Sequence, residues 1–202
     1  MKTTTPSESD VLSGLARFAE LRSTEHYFRK LVPQAVADAI LPVAMPQQLY
    51  GVLGPEAAEN TVMPYGGRGP DGLVIMLAEC EPGVGPPLHA HLLTHEIFFV
   101  AKGRFRVEWG DEGEHCVELD LFDTLCIPPG CHRRFENISD ERGFLFAIAT
   151  GHEKVIQDAA SAPSVREEIL ASAPAVIEGV PTEEWLDRVG FRYNAGIDDG
   201  QL

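Results

Sequence analysis

Between Gly72 and Thr150 the sequence is a succession of short strand-like segments cut by turn residues. This succession constrains the fold more than any other feature of the chain. Leu73 to Glu79 is apolar, and Glu81-Pro82-Gly83 marks a turn after it. Ile97 to Ala101 and Arg104 to Trp109 are strand-like, and Lys102-Gly103 between them predicts a hairpin. Cys116 to Leu119, Thr124 to Ile127, Arg133 to Asn137 and Phe144 to Ala149 extend the series. Many short strands separated by Gly, Pro and Asp turns predict a mainly β domain, a sandwich or a barrel.

The flanks read differently. From Ser9 to about Arg29 the apolar residues Val11, Leu12, Leu15, Phe18 and Ala19 recur at helical spacing, with Ser9 or Asp10 as the expected cap. A proline-punctuated stretch follows, with one short helix expected near Gln34 to Ile40. After the strands, Ser164 and Glu167 have capping-box spacing ahead of Ile169 and Leu170. Thr182 opens a second short helix with Trp185 and Leu186, which Gly190 stops.

Composition narrows the function classes. The formal net charge is -15, which repels phosphate backbones and anionic lipid, so neither nucleic acid nor membrane is an expected partner. The polar N-terminus lacks the apolar core of a secretory signal, and a cytoplasmic location is the expectation. The four cysteines form no C-x-x-C pair and read as reduced thiols.

The chemistry concentrates in Gly83 to Gly103. His89 and His91 stand two residues apart, so on a strand both imidazoles point to one face, where they can take adjacent positions on one ion. Glu96 follows five residues later, placed for a returning strand to add a carboxylate oxygen. Two histidines and one carboxylate are the facial set of non-haem iron sites, with positions left for substrate or dioxygen.

With its glycines, this segment resembles the first motif of the cupin superfamily: Gly83, His89, His91, Glu96 and Gly103 occupy every specified position. The resemblance covers the middle two-fifths of the chain. It implies a jelly-roll antiparallel β-barrel, placed over residues 61–155, and does not address the ends, which read from their own residues as an N-terminal helical and loop extension, 1–60, and a C-terminal helical extension, 156–202. It also implies a divalent metal inside the barrel, held by His89, His91 and Glu96, and a homodimer paired through β-strands.

The second cupin motif, whose histidine is the fourth ligand, is matched imperfectly by Pro128-Pro129-Gly130-Cys131-His132-Arg133-Arg134-Phe135-Glu136-Asn137. Counted from Gly130 or from Asn137, Arg133 falls in the ligand position and His132 comes one residue early. Two resolutions are open. A bulge or tightened turn near Gly130 brings His132 inward as the fourth ligand. Alternatively Arg133 points inward, paired with Glu96 or with an anionic substrate group, and the metal keeps three protein ligands.

Fold alone does not fix function. The first expectation is a metal-dependent oxygenase of the dioxygenase type, acting on a small organic molecule. Fe(II) is the favoured ion, with Mn, Ni or Zn as alternatives, and Glu96 serves as base if substrate displaces it from the metal. The other readings are a non-catalytic sensor that binds a small molecule, and a metal-dependent isomerase or lyase. His95 and His115 read as surface residues, and no role falls to His26, His152 or the N-terminal extension. The aromatics Phe98, Phe99, Phe105, Trp109 and Phe135 read mainly as barrel core, with one or two free to line the pocket.

Overall fold

The computed structural model describes residues 3–55, 63–151 and 159–189. The chain opens with α1 (Glu8–Leu12), a 3-10 turn at Phe18–Glu20, α2 (Thr24–Leu31) and α3 (Gln34–Ala44). Eleven strands follow: β1 (Gln48–Gly54), β2 (Tyr65–Arg68), β3 (Leu73–Cys80), β4 (His89–His91), β5 (His95–Lys102), β6 (Phe105–Trp109), β7 (His115–Leu119), β8 (Thr124–Ile127), β9 (Arg133–Asn137), β10 (Gly143–Thr150) and β11 (Ala159–Ser161). The described part ends with α4 (Pro163–Ser172), a small ribbon of β12 (Val176–Ile177) and β13 (Val180–Pro181), and α5 (Thr182–Arg188).

Two sheets carry the jelly roll, in the orders β2-β1-β3-β10-β5-β8 and β11-β4-β9-β6-β7. They share no strand, so packing rather than a hydrogen-bonded circuit closes the structure. The alternation of β10, with every second residue from Gly143 to Ala149 buried, is the period of a sheet with one face on a core. Phe98 and Val100 of the first sheet meet Phe105, Val107 and Phe135 of the second in that core, with the Phe98 and Phe135 rings edge-on at 5.3 Å. Each such side chain fully removed from water stabilises the fold by about 1.5–3 kcal/mol.

Lys102-Gly103 is not a hairpin, contrary to expectation. β5 pairs with β10 and β8, whereas β6 pairs with β7 and β9, so this turn carries the chain from one sheet to the other. Gly103 supplies the required left-handed backbone, at φ +87°.

The extensions depart further from the sequence reading. The long helix expected from Ser9 to Arg29 is broken into α1, the 3-10 turn and α2. Ser7, not Ser9 or Asp10, caps α1: its hydroxyl accepts from the Asp10 N–H while the Asp10 carboxylate accepts from the Ser7 N–H. Past α1 the Ser13 carbonyl accepts from the Arg68 N–H at 2.8 Å, so tertiary pairing to β2 ends a helix that periodicity alone would continue. α3 runs four residues beyond the expected Ile40, across Pro42. α4 starts on Pro163 without a side-chain cap, so the Ser164–Glu167 capping box does not form. Gly190, His152 and the last residues lie outside the described residues.

Both extensions also enter the sheets, β1 through pairing with β3 and β11 through pairing with β4. Their helices build a second core of Phe28, Val36, Ile40, Val165, Ile169 and Leu186. Residues from the two ends of the chain thus form one helical layer. No helix among the described residues is long and apolar enough to cross a membrane.

Candidate metal centre

β4 has only three residues, pinned on one side by β11 and on the other by the pairing of His89 with Arg133. Its alternation turns His89 and His91 to one face, while Ala90, fully buried, faces the other. The chain turns at residues 92–94 and returns as β5, where Glu96 shares the inward phase of Phe98 and Val100. The ligand atoms of His89, His91 and Glu96 all lie within 4.8 Å of one another.

Two of the three side chains, His89 and Glu96, are oriented by a neighbour. His89 Nδ1 lies 2.8 Å from the Pro87 carbonyl, which can only accept. The ring proton therefore sits on Nδ1, and Nε2 keeps its lone pair. The Glu96 carboxylate is divided in use. Arg133 donates from Nε at 2.8 Å and from Nη2 at 2.7 Å to Oε2 alone, and Oε1 stands 3.7 Å from His91 Nε2. That separation is too long for a hydrogen bond. It is a few tenths of an ångström wider than the spacing of two ligands of one ion, since atoms about 2.1 Å from a metal lie about 3.0–3.4 Å apart at right or tetrahedral angles. The donor set fits a divalent metal after small side-chain adjustments.

The electrostatics agree. Burial, then the adjacent Arg133 charge, pushes His89 down to about 3, so its imidazole is neutral as a ligand must be. Burial alone would raise the Glu96 carboxyl, but Arg133, His91 and His89 override it and hold it at about 2. Glu96 is the site's buried anion, already neutralised by the buried Arg133 cation.

Arg133 is therefore the inward residue of the imperfect second motif. It shares the buried phase of Phe135 and Asn137 on β9 and is 1% exposed. Its Nη1 leans toward the carbonyls of His89 and Cys131, at 3.4 Å each. With its fork spent on Glu96, it lies behind the carboxylate and does not line the cavity in front. Gly130, at φ +76°, makes a tight turn whose N–H donates to the His91 carbonyl, and β9 begins at Arg133 in regular register. His132 precedes the strand, with Nδ1 3.9 Å from Asp111, and is outside the three-residue cluster. His95 and His115 are exposed.

The three ligands open onto a cavity of about 330 Å³ between the jelly-roll core and the helical layer. Phe135, Met76 and Ala147 wall one side, Phe28 and Ile40 the other. Thr24 and Gln47, from the extension to which the sequence assigned no role, line it too. No motif marked them, because a pocket wall assembled from two chain ends leaves no local spacing to read.

Residues 76–149 match the cupin domain family model. That segment is a cupin domain. The chain is similar to the cupin domain of Cnp3 from Schizosaccharomyces pombe, with 12% identity over 54% of this chain and 66% of that one, at a TM-score of 0.43. A Bacillus halodurans protein aligns at 21% identity over 44% of this chain and 73% of its own, TM-score 0.39. A Bacteroides fragilis cupin aligns at 26% identity over 40% of this chain and 67% of its own, TM-score 0.36. No curated protein matches the chain.

Proposed function

We propose that this protein is a metal-dependent oxygenase of small organic molecules, with Fe(II) as the favoured ion on His89, His91 and Glu96. The observation that carries the reading is a cluster of two imidazoles and one carboxylate facing a largely apolar cavity. When bound, such an ion supplies Lewis acidity and open positions at which an organic ligand and dioxygen can meet.

The chain's own residues prepare that encounter. Arg133 fixes Glu96 through Oε2 and thereby aims Oε1 at His91. Pro87 fixes the His89 tautomer. The apolar walls hold substrate and exclude water, which strengthens every polar interaction inside. Glu96, held at about 2, orients and bears charge; it is a poor proton acceptor near neutral pH.

A second reading has its own support. The Arg133–Glu96 pair is complete without an ion, as suits a module that binds small molecules without metal. Elemental analysis of wild type, His91→Ala and His132→Ala after reconstitution with Fe(II), Mn, Ni or Zn separates the two. The metal reading expects about one ion per chain, lost in His91→Ala and kept in His132→Ala, with Fe(II)-dependent oxygen uptake on a substrate panel. Absence of bound metal under every condition would remove the enzyme reading and leave the binding module.

A further inference from the structure

Gln47 is the unexplained polar group of the cavity. It is 5% exposed, it lines the cavity, and its Oε1 has no hydrogen-bond partner among the described residues. A buried carbonyl left unpaired is costly, and folded proteins keep few of them. Its neighbours do not supply a donor: the Thr24 hydroxyl, also on the cavity wall, donates to the Leu49 carbonyl at 3.0 Å. Among the described residues no lysine or arginine lines the cavity, and the one carboxylate that does, Glu96, is neutralised from behind by Arg133.

The strand register gives the cavity its shape. Gln48, next to Gln47, is level with Glu79 on β3, whereas Glu96 is level, through Ala149, with Val74. Five residues of strand separate these levels, about 17 Å at 3.3–3.4 Å per residue. Gln47 and the metal-ligand cluster thus line one apolar cavity from different levels along the strands.

We infer that this cavity takes an elongated, uncharged, largely apolar molecule whose far end carries an O–H or N–H group that donates to Gln47 Oε1. This assigns Gln47 as a specificity residue. It rests on the cavity being the substrate chamber of the proposed enzyme, but the recognition itself needs no metal.

The test uses full-length, chelator-treated protein and three probes: 4-butylphenol, 4-butylfluorobenzene, which matches it in length without a donor, and 4-butylbenzoate, which is charged. Wild type is expected to bind the phenol about fivefold to tenfold more tightly than the fluoro compound, the worth of one hydrogen bond. The benzoate is expected to bind weakest. In Gln47→Met, which keeps length and removes the carbonyl, the phenol preference should vanish and the melting temperature should hold or rise. Equal binding of phenol and fluoro compound by wild type would overturn the inference, since cavity water alone would then satisfy Gln47. So would a phenol preference that survives Gln47→Met, or a variant melting well below wild type, because either places the carbonyl's partner within the protein. Since the preference is read without metal, failure of the oxygenase reading leaves it standing.

Discussion

At the scale of single residues, the centre turns on how Glu96 divides its two oxygens. Arg133 takes Oε2 and leaves Oε1 to the histidines. The guanidinium thus orients the carboxylate and competes electrostatically with any cation the site receives. Arg133→Met separates these effects. Removing one partner of a buried ion pair strands the other charge, and the metal-free variant should lose about 3–5 kcal/mol of stability. A bound divalent cation would offset the stranded carboxylate and leave one net positive charge, where wild type with Arg133 would carry two, so metal should stabilise Arg133→Met more than it stabilises wild type. Melting temperatures with excess Zn(II) and with chelator would read this directly, and a gap no wider than in wild type would contradict the competition. The spacing of His89, His91 and Glu96 was legible in the sequence because a strand fixes which side chains share a face. The choice between His132 and Arg133 was not, because it depends on the phase in which β9 leaves the Gly130 turn.

At the scale of elements, the motif residues that touch no ligand share a task. Asn137, fully buried at the end of β9, donates from Nδ2 to the carbonyls of Cys80 and Glu141 and accepts the Ser139 N–H on Oδ1. Its own carbonyl accepts the Gly83 N–H at 2.8 Å. A Cβ on Gly103 would come within 2.7 Å of Ser139 Oγ in the same knot. Gly83, Gly103 and Asn137 therefore tie together the ends of β3, β5 and β9, and the turn from β9 into β10. Asn137→Ala should cost about 1–3 kcal/mol, the price of leaving buried carbonyls unpaired. Asn137→Asp should cost more, because a carboxylate would face the two carbonyls that now receive N–H groups. Urea midpoints measure both, with metal content per folded protein expected to stay at wild type. Strand positions were legible because alternation and turn residues are local signals: β8 and β9 fall where the sequence places them. The sheet change at Lys102-Gly103 was not, because a tight turn announces reversal but not the partner that the next strand chooses.

Across the whole molecule, the two chain ends make one structural unit that their sequences do not advertise. α3 contributes Val36, Ala37 and Ile40 to the helical core, and α4 contributes Val165 and Ile169 from far along the chain. α1, by contrast, buries none of its residues, and Val11 and Leu12 are exposed, so helical periodicity there overstated packing. The shared core implies that the ends lose order together. Ile169, fully buried, is the residue on which to test this. Ile169→Ala removes three carbons from a packed site and should cost about 2–5 kcal/mol. If the helical layer is one cooperative unit resting on the jelly roll, amides of α3 and α4 should gain exchange by the same factor, while β10 keeps its protection. The cavity would loosen with them, because Ile40 and Phe28 belong both to its wall and to this core. Hydrogen exchange followed element by element distinguishes this from the alternative, in which α4 frays alone and α3 stays protected. In that case the N-terminal helices would be an independent wall, and chamber closure would depend on one end of the chain only.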